Sequence, residues 1–199
     1  MAKHELLFIL CSYLLGTIPI GFILYYLTEK KDIRKEGSGN IGATNVLRTK
    51  GKSAGSVTLA LDIAKGLLPV LYGLKHFDSP IIVIAGGAAV ILGHLFPLCL
   101  KFKGGKGIAA FIGVFLVFDF RAALIFAIAF LFTLYFIRYV SASSIAGVIA
   151  VFFFILFTQV VEVSMIVFLI TTTIILKHHG NIRRMVAGTE NKLTWKHHE

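Results

Sequence analysis

Apolar residues fall into long blocks along this chain, and short polar stretches divide the blocks. Seven of them are apolar over helical lengths, at 5–27, 54–74, 79–100, 107–119, 121–140, 144–160 and 162–177. A helix that crosses the hydrocarbon core of a bilayer takes about 20 apolar residues, within a range of about 17–25. The pattern therefore predicts an all-α integral membrane protein with about seven transmembrane helices. The fourth block is short, and its helix starts inside the preceding glycine-rich loop. Gly16, Pro19 and Gly21 interrupt the first block, Pro69 the second, and Gly86, Gly87 and Pro97 the third. Small residues allow close helix approach, and a proline kink frees carbonyls that must find other partners.

Composition strengthens this picture. The chain is 57% hydrophobic and only 15% charged, whereas soluble domains carry about 25% charged residues. Residues 1–199 are expected to form a single membrane-embedded domain. No small-residue cleavage site follows the first block, so it is expected to remain as a span and not to be a signal peptide. Cys11 and Cys99 lie in apolar runs with the spacing of neither a disulfide framework nor a zinc site. They are expected to be small packing residues.

The net charge of +10 changes the picture in a different way. The segment after the first span holds Lys30, Lys31, Arg34, Lys35, Arg48, Lys50 and Lys52. Lys101, Lys103 and Lys106 follow the third span, Arg138 ends the fifth, and Lys177, Arg183, Arg184, Lys192 and Lys196 lie at the end of the chain. Sixteen cations thus fall on one side, against Lys3, Lys75 and Arg121 on the other. Cytoplasmic loops carry the excess of Lys and Arg. In a cell (inner) membrane, the expected location, the bias predicts an outer N-terminus and a cytoplasmic C-terminus, with no need of a nucleic-acid partner. It also puts every polar, glycine-rich segment on the cytoplasmic face, so the active site is expected at the cytoplasmic membrane interface.

Three of these segments carry candidate chemistry. The first is "GSGNIGATNVLR". Gly37, Gly39 and Gly42 match G-x-G-x-x-G, but basic residues precede them where a dinucleotide fold has a strand. "GKS" at 51–53 lacks the earlier glycine of a phosphate loop, since Val46 stands there. What survives is physical: glycines let backbone amides converge on an anion. Ser38, Asn40, Thr44 and Asn45 add polar groups, and Arg48 adds a fork suited to phosphate. Ile41, Val46 and Leu47 between them argue for an ordered structure, not a loose loop.

The second segment is "GHLFPLCLKFKGGKG". Here Lys101, Lys103 and Lys106 surround Gly104 and Gly105, and a helix starting near Gly107 would aim its amides at the same anion. Lys101 suits a plain orientation charge, Lys106 a functional one, and His94 either a packing residue or a ligand. The third segment is "KHHGNIRRMVAGTENKL", with His178, His179, Asn181 and Glu190. A histidine there can act as a base near neutral pH, while Arg183 and Arg184 suit anionic lipid heads. His197 and His198 belong to the tail. Asp62 and Lys65 share one face of the second span and are expected to form an ion pair beside a polar cleft. "SASS" at 141–144, with Ser141 and Ser144, is expected to cap the sixth span or to donate to the site.

These three segments, with "LDIAKG" and "YVSASSI", resemble the small multi-span bacterial glycerol-3-phosphate acyltransferases that use acyl phosphate. The likeness covers most of the chain in order and spacing. It implies transfer of a fatty acyl group from acyl phosphate to the 1-hydroxyl of glycerol 3-phosphate. The products would be lysophosphatidic acid and phosphate, in the first acylation step of phospholipid biosynthesis. It implies no metal and no bound coenzyme. It assigns Ser38, Asn40, Thr44, Asn45, Arg48 and Lys106 to positioning phosphate and hydroxyl, with Gly37, Gly39, Gly42, Lys103, Gly104 and Gly105 lining the cradles. Asn181, with His178 or His179, would orient glycerol phosphate, and Glu190 would orient a cation or shape the site. His94, Ser141 and Ser144 complete the candidate substrate contacts. The His-x4-Asp signature of other glycerolipid acyltransferases is absent, because Cys99 stands where its aspartate would follow His94. A transporter of organic phosphates is the competing class, though the chain shows no internal repeat.

Overall fold

A computed structural model describes residues 2–193; Lys196, His197 and His198 lie outside the described residues. Ten α-helices follow one another among these residues. They are α1 (Lys3–Gly16), α2 (Ile20–Glu29), α3 (Ala43–Lys50), α4 (Lys52–His76), α5 (Pro80–Leu95), α6 (Ile108–Phe118), α7 (Phe120–Ile137), α8 (Val140–Thr158), α9 (Val161–Lys177) and α10 (His179–Val186). The chain divides into two compact units, Met1–Asp119 and Phe120–Glu199. Helix is the only regular structure among the described residues. That suits a chain in lipid, where each backbone polar group must be satisfied within its own segment.

Five helical stretches are long and apolar enough to cross a membrane, or six if the bent pair α9 and α10 counts as one span. This measure supports five or six of the about seven expected spans. The block at 107–119 gives α6, of only 11 residues, and at about 1.5 Å per residue it falls short of a bilayer core of about 30 Å. Glycine in the left-handed conformation at Gly107 (φ 81°) starts it, and extended Asp119 ends it. The first span runs from Lys3 to Glu29 with a break at Thr17–Pro19, since Pro19 has no N–H to continue the ladder.

In the first unit, α1 crosses α5 where Gly16 meets Gly93, and α4 crosses α6 where Gly66 meets Ala110 and Gly113 meets Ile63. At each of these glycines an added Cβ would strike the facing backbone. Such contacts replace the hydrophobic drive that helices lack inside lipid. The buried core includes Val70, Val83, Val90, Ile91, Leu95, Phe111 and Val114. In the second unit α7 packs on α8 and α8 on α9, around Phe126, Val148, Val151, Ile155, Val167 and Ile174. Large apolar side chains remain on the outside of both units, such as Leu7 and, at 83% exposed, Phe157. An apolar exterior of this kind suits a lipid surrounding.

Two sequence expectations change in detail. Helix α8 starts at Val140 with Tyr139 before it, so the serines at 141–144 lie inside its first turns and do not cap it. Cys11 and Cys99 are exposed, not packed inside. Cys99 Sγ lies 3.3 Å from the Thr17 carbonyl at the break in the first span.

Candidate functional site

In the first unit the stretch after α2 folds tightly. Asp32 and Arg34 form a chelated ion pair at 2.6 Å, around a 3₁₀ turn at Ile33–Lys35. The hydrogen bonds from Arg34 hold the Asp32 carboxyl below its ordinary range. Gly37 and Gly39 then take left-handed backbone, φ 56° and 73°, a region that costs glycine little. Gly42 leads into α3, a polar helix that the sequence pattern did not announce.

Asn45 organises the loop. Ser38 N–H donates to Asn45 Oδ1 at 2.8 Å, and Asn45 Nδ2 donates to the Glu36 and Asn40 carbonyls at 3.1 and 2.8 Å. The residue is 1% exposed. Its amide, a candidate substrate contact, is thus spent on the loop itself. Beneath lie Ile33, Ile41 and Val46 with Tyr25 and Leu100, a small apolar core of their own. Above, Thr44 and Arg48 are exposed, one helical turn apart. Arg48 makes no ion pair among the described residues, whereas Lys50 pairs with Glu29.

The second segment packs against the end of α5. A 3₁₀ turn at Leu98–Leu100 follows Pro97, and Lys101 and Phe102 take left-handed backbone. Lys101 and Lys103 are exposed, Lys106 is half-buried, and Gly105 is buried. Gly105 N–H donates to the His94 carbonyl at 3.0 Å. His94 is 5% exposed, with Nδ1 3.5 Å from Asp62 Oδ1. Asp62 and Lys65 form the expected ion pair, at 2.9 Å. A charge at the centre of a span costs about 2.5–3.5 kcal/mol by insertion measurements, so this pairing is what makes the two tolerable.

In the second unit the third segment folds around Glu190. Its Oε1 accepts from Asn181 Nδ2 at 2.5 Å and from Ser141 Oγ at 2.8 Å; its Oε2 accepts from Arg184 Nε at 2.7 Å. Thr189 and Glu190 amides both donate to the Arg184 carbonyl. Arg184, expected at lipid heads, therefore holds the carboxylate instead; Arg183 is exposed. Ser144 Oγ bonds back to the Val140 carbonyl in its own helix. His178 is buried, with Nδ1 2.8 Å from the Ile174 carbonyl, while His179 is exposed.

Burial pushes the Glu190 carboxyl up, but the hydrogen bonds from Asn181, Ser141 and Arg184 outweigh it, and it ends below the ordinary 4.5. A carboxyl that is more acidic in the folded state contributes stability above its unfolded pKa. That contribution is lost as pH falls through the folded value. Thermal unfolding in detergent is therefore expected to show wild type losing stability as pH drops below the ordinary carboxylate range. Glu190→Gln is expected to unfold earlier at neutral pH, by about 1–2 kcal/mol after allowing for the exposed Arg184, and to respond less to acid.

The described residues thus form an all-helical membrane protein whose glycine-shaped loops carry lysines and arginines. The chain matches the family model for glycerol-3-phosphate acyltransferase over residues 6–188, and it belongs to that family. A glycerol-3-phosphate acyltransferase of Macrococcus caseolyticus is 44% identical over 190 residues, covering 96% of this chain and 97% of that protein. One of Mesorhizobium japonicum is 40% identical over 193 residues, covering 97% and 98%. The crystal structure of PlsY (YgiH), an integral membrane glycerol 3-phosphate acyltransferase, superposes in its glycerol 3-phosphate form with a TM-score of 0.91. The two are 36% identical over 96% of each chain. Its lysophosphatidic acid form superposes at 0.87 with 35% identity, again over 96% of each chain.

Proposed function

We propose that this protein transfers a fatty acyl group from acyl phosphate to the 1-hydroxyl of glycerol 3-phosphate, releasing 1-acyl-glycerol 3-phosphate and phosphate. The observation that carries this reading is the loop from Gly37 to Arg48: two left-handed glycines, an internal tie through Asn45, and an exposed guanidinium with no carboxylate partner among the described residues. A guanidinium binds two oxygens of one phosphate. Ser38, Asn40, Thr44, Arg48 and Lys106 position the phosphates and the attacking hydroxyl. Asn45 shapes the loop. Asn181 and His178 orient glycerol phosphate, and Glu190 fixes Asn181. His178 takes this role over His179 because its ring is buried and oriented by a backbone carbonyl.

In the reaction the hydroxyl oxygen bonds to the acyl carbonyl carbon, the bond from that carbon to the phosphate oxygen breaks, and phosphate departs. The hydroxyl proton leaves through His178 or directly to a phosphate oxygen. An acyl phosphate is a mixed anhydride with a good leaving group, so no covalent enzyme intermediate is required. The protein contributes alignment and charge stabilisation. The donor is acyl phosphate and not acyl-CoA, since no extended surface domain among the described residues is available to grip a nucleotide. Purified protein with acyl phosphate and glycerol 3-phosphate is expected to form lysophosphatidic acid, and acyl-CoA is expected to give none. Comparable rates from acyl-CoA would overturn the donor, and no product from either would leave a carrier as the reading.

The charge bias supports an outer N-terminus with the polar segments in the cytoplasm. It also bears on α6. If α6 did not cross, Arg138 and the C-terminal cations would fall outside, and the bias would split. The reading therefore has α6 crossing despite its length, with the irregular stretch before it completing the passage. Such backbone is tolerated at membrane depth where protein buries it, and Gly105 and Gly107 are buried. In a Cys11→Ala, Cys99→Ala background, Asp78→Cys is expected to label from outside intact cells. Lys52→Cys and Thr189→Cys are expected to label only after permeabilisation. External labelling of Thr189→Cys alone would mean that α6 does not cross.

A further inference from the structure

Three ionisable side chains of the first unit have no part in the transfer described above. Asp62 and Lys65 stand one turn apart on α4, and His94 in the last turn of α5 approaches the same carboxylate. Lys65 Nζ lies 2.9 Å from Asp62 Oδ1 and donates to the Ile18 and Gly16 carbonyls at 2.9 and 3.3 Å. These carbonyls sit at the break between α1 and α2. A break inside a span must find donors within the protein. Lys65 supplies them, and Asp62 neutralises Lys65.

His94 is the residue to explain. A leucine or phenylalanine would fill buried space at lower desolvation cost. What histidine adds is an oriented ring. Its Nδ1 faces Asp62 Oδ1 at 3.5 Å, within ion-pair distance. The opposite edge covers Gly105 so closely that a Cβ there would collide with Nε2. The Gly105 amide meanwhile donates to the His94 carbonyl at 3.0 Å. Gly104 is pinned as well, because a Cβ there would strike the same carbonyl and Pro97. The next residue is Lys106.

We infer that Asp62 and His94 are positioning residues: together with the Lys65 tie, they brace the Gly104–Gly105 backbone so that Lys106 is held where the reaction uses it. The inference rests on the assignment of Lys106 to substrate phosphate. Neither Asp62 nor His94 needs to touch substrate, which is consistent with their burial. The brace also links the break in the first span to the loop after α5, through three side chains and one backbone hydrogen bond.

A double-mutant cycle tests it. His94→Gln is expected to raise KM for glycerol 3-phosphate about tenfold, with kcat and thermal midpoint nearly unchanged. Lys106→Ala is expected to raise it more. In the double variant His94→Gln should then add less than about twofold, because its effect passes through Lys106. A full tenfold in the Lys106→Ala background overturns the inference, as does a harmless His94→Gln beside a damaging Lys106→Ala. A harmless Lys106→Ala removes the loop from the reaction, and the inference with it. Should His94→Gln fail to fold, Asp62→Asn in the same cycle, with the same criteria, decides.

Discussion

Replacing Arg48 with alanine is expected to lower the rate of acyl transfer by at least about a hundredfold while leaving the protein folded. A hydrogen bond to a charged group contributes about 1.5–3 kcal/mol, and each 1.4 kcal/mol is about tenfold in rate. A guanidinium can make two such bonds to one phosphate. Arg48 lies on an exposed face of α3 and has no ion pair among the described residues, so its loss leaves no buried charge behind. Arg48→Lys keeps the charge but loses the fork, and it is expected to lose about tenfold. Lys35 and Lys50 are the controls. Lys35 is exposed and Lys50 pairs with Glu29 at the surface, so alanine at either is expected to stay within about twofold. The assay uses purified variants with matched thermal midpoints. Equal losses in all four would mean that the loop acts through net charge alone.

Asn45→Ala is expected to have an effect of similar size by a different route. Three hydrogen bonds end on this one amide, tying Glu36, Ser38 and Asn40 to α3. Without it, the left-handed turns at Gly37 and Gly39 lose their tie to α3, and the side chains of Ser38 and Asn40 lose their placement. The expected loss of activity is about a hundredfold or more. Stability should fall much less, because the apolar core of Ile33, Ile41 and Val46 remains. Asn45→Asp is the sharper test. It keeps the acceptor for Ser38 but removes both donors and adds a negative charge where anions are to bind. It is expected to be at least as damaging as alanine. If Asn45→Asp retains more than about half of the activity, the amide is not what shapes the loop.

The two sets of variants also separate contact from support. Arg48 variants should respond to added phosphate as weakened binders, with a higher concentration needed for product inhibition. Asn45 variants should lose binding of both phosphate-bearing substrates together, since the loop that places Ser38 and Asn40 is lost. Competition by inorganic phosphate, measured on each variant, distinguishes these outcomes.

Much of this protein was legible in its residues. Lipid admits only backbone that satisfies itself, so long apolar blocks with few charges had to be helices. A polar, glycine-dense stretch stands out against such apolar blocks, and this marked Gly37–Arg48, Gly104–Lys106 and Asn181–Glu190. The spacing of Asp62 and Lys65 placed them on one helical face, and they pair. These are local facts: each depends on period, composition or a separation of one turn. Which partner a polar group takes is not local. An asparagine amide suits a substrate and a loop carbonyl equally well, and only the folded turn gave Asn45 to the loop. Arg184 suits a lipid phosphate until the chain returns and brings Glu190 to it. His94 meets Asp62 because α5 packs beside α4. The short α3 escaped notice because its apolar residues are too few to show a period. The sequence alone determined which residues are polar and where helices had to form. The tertiary structure decided which polar groups are spent on one another and which stay exposed, because a hydrogen bond is fixed by distance and direction between segments that meet only when the chain folds.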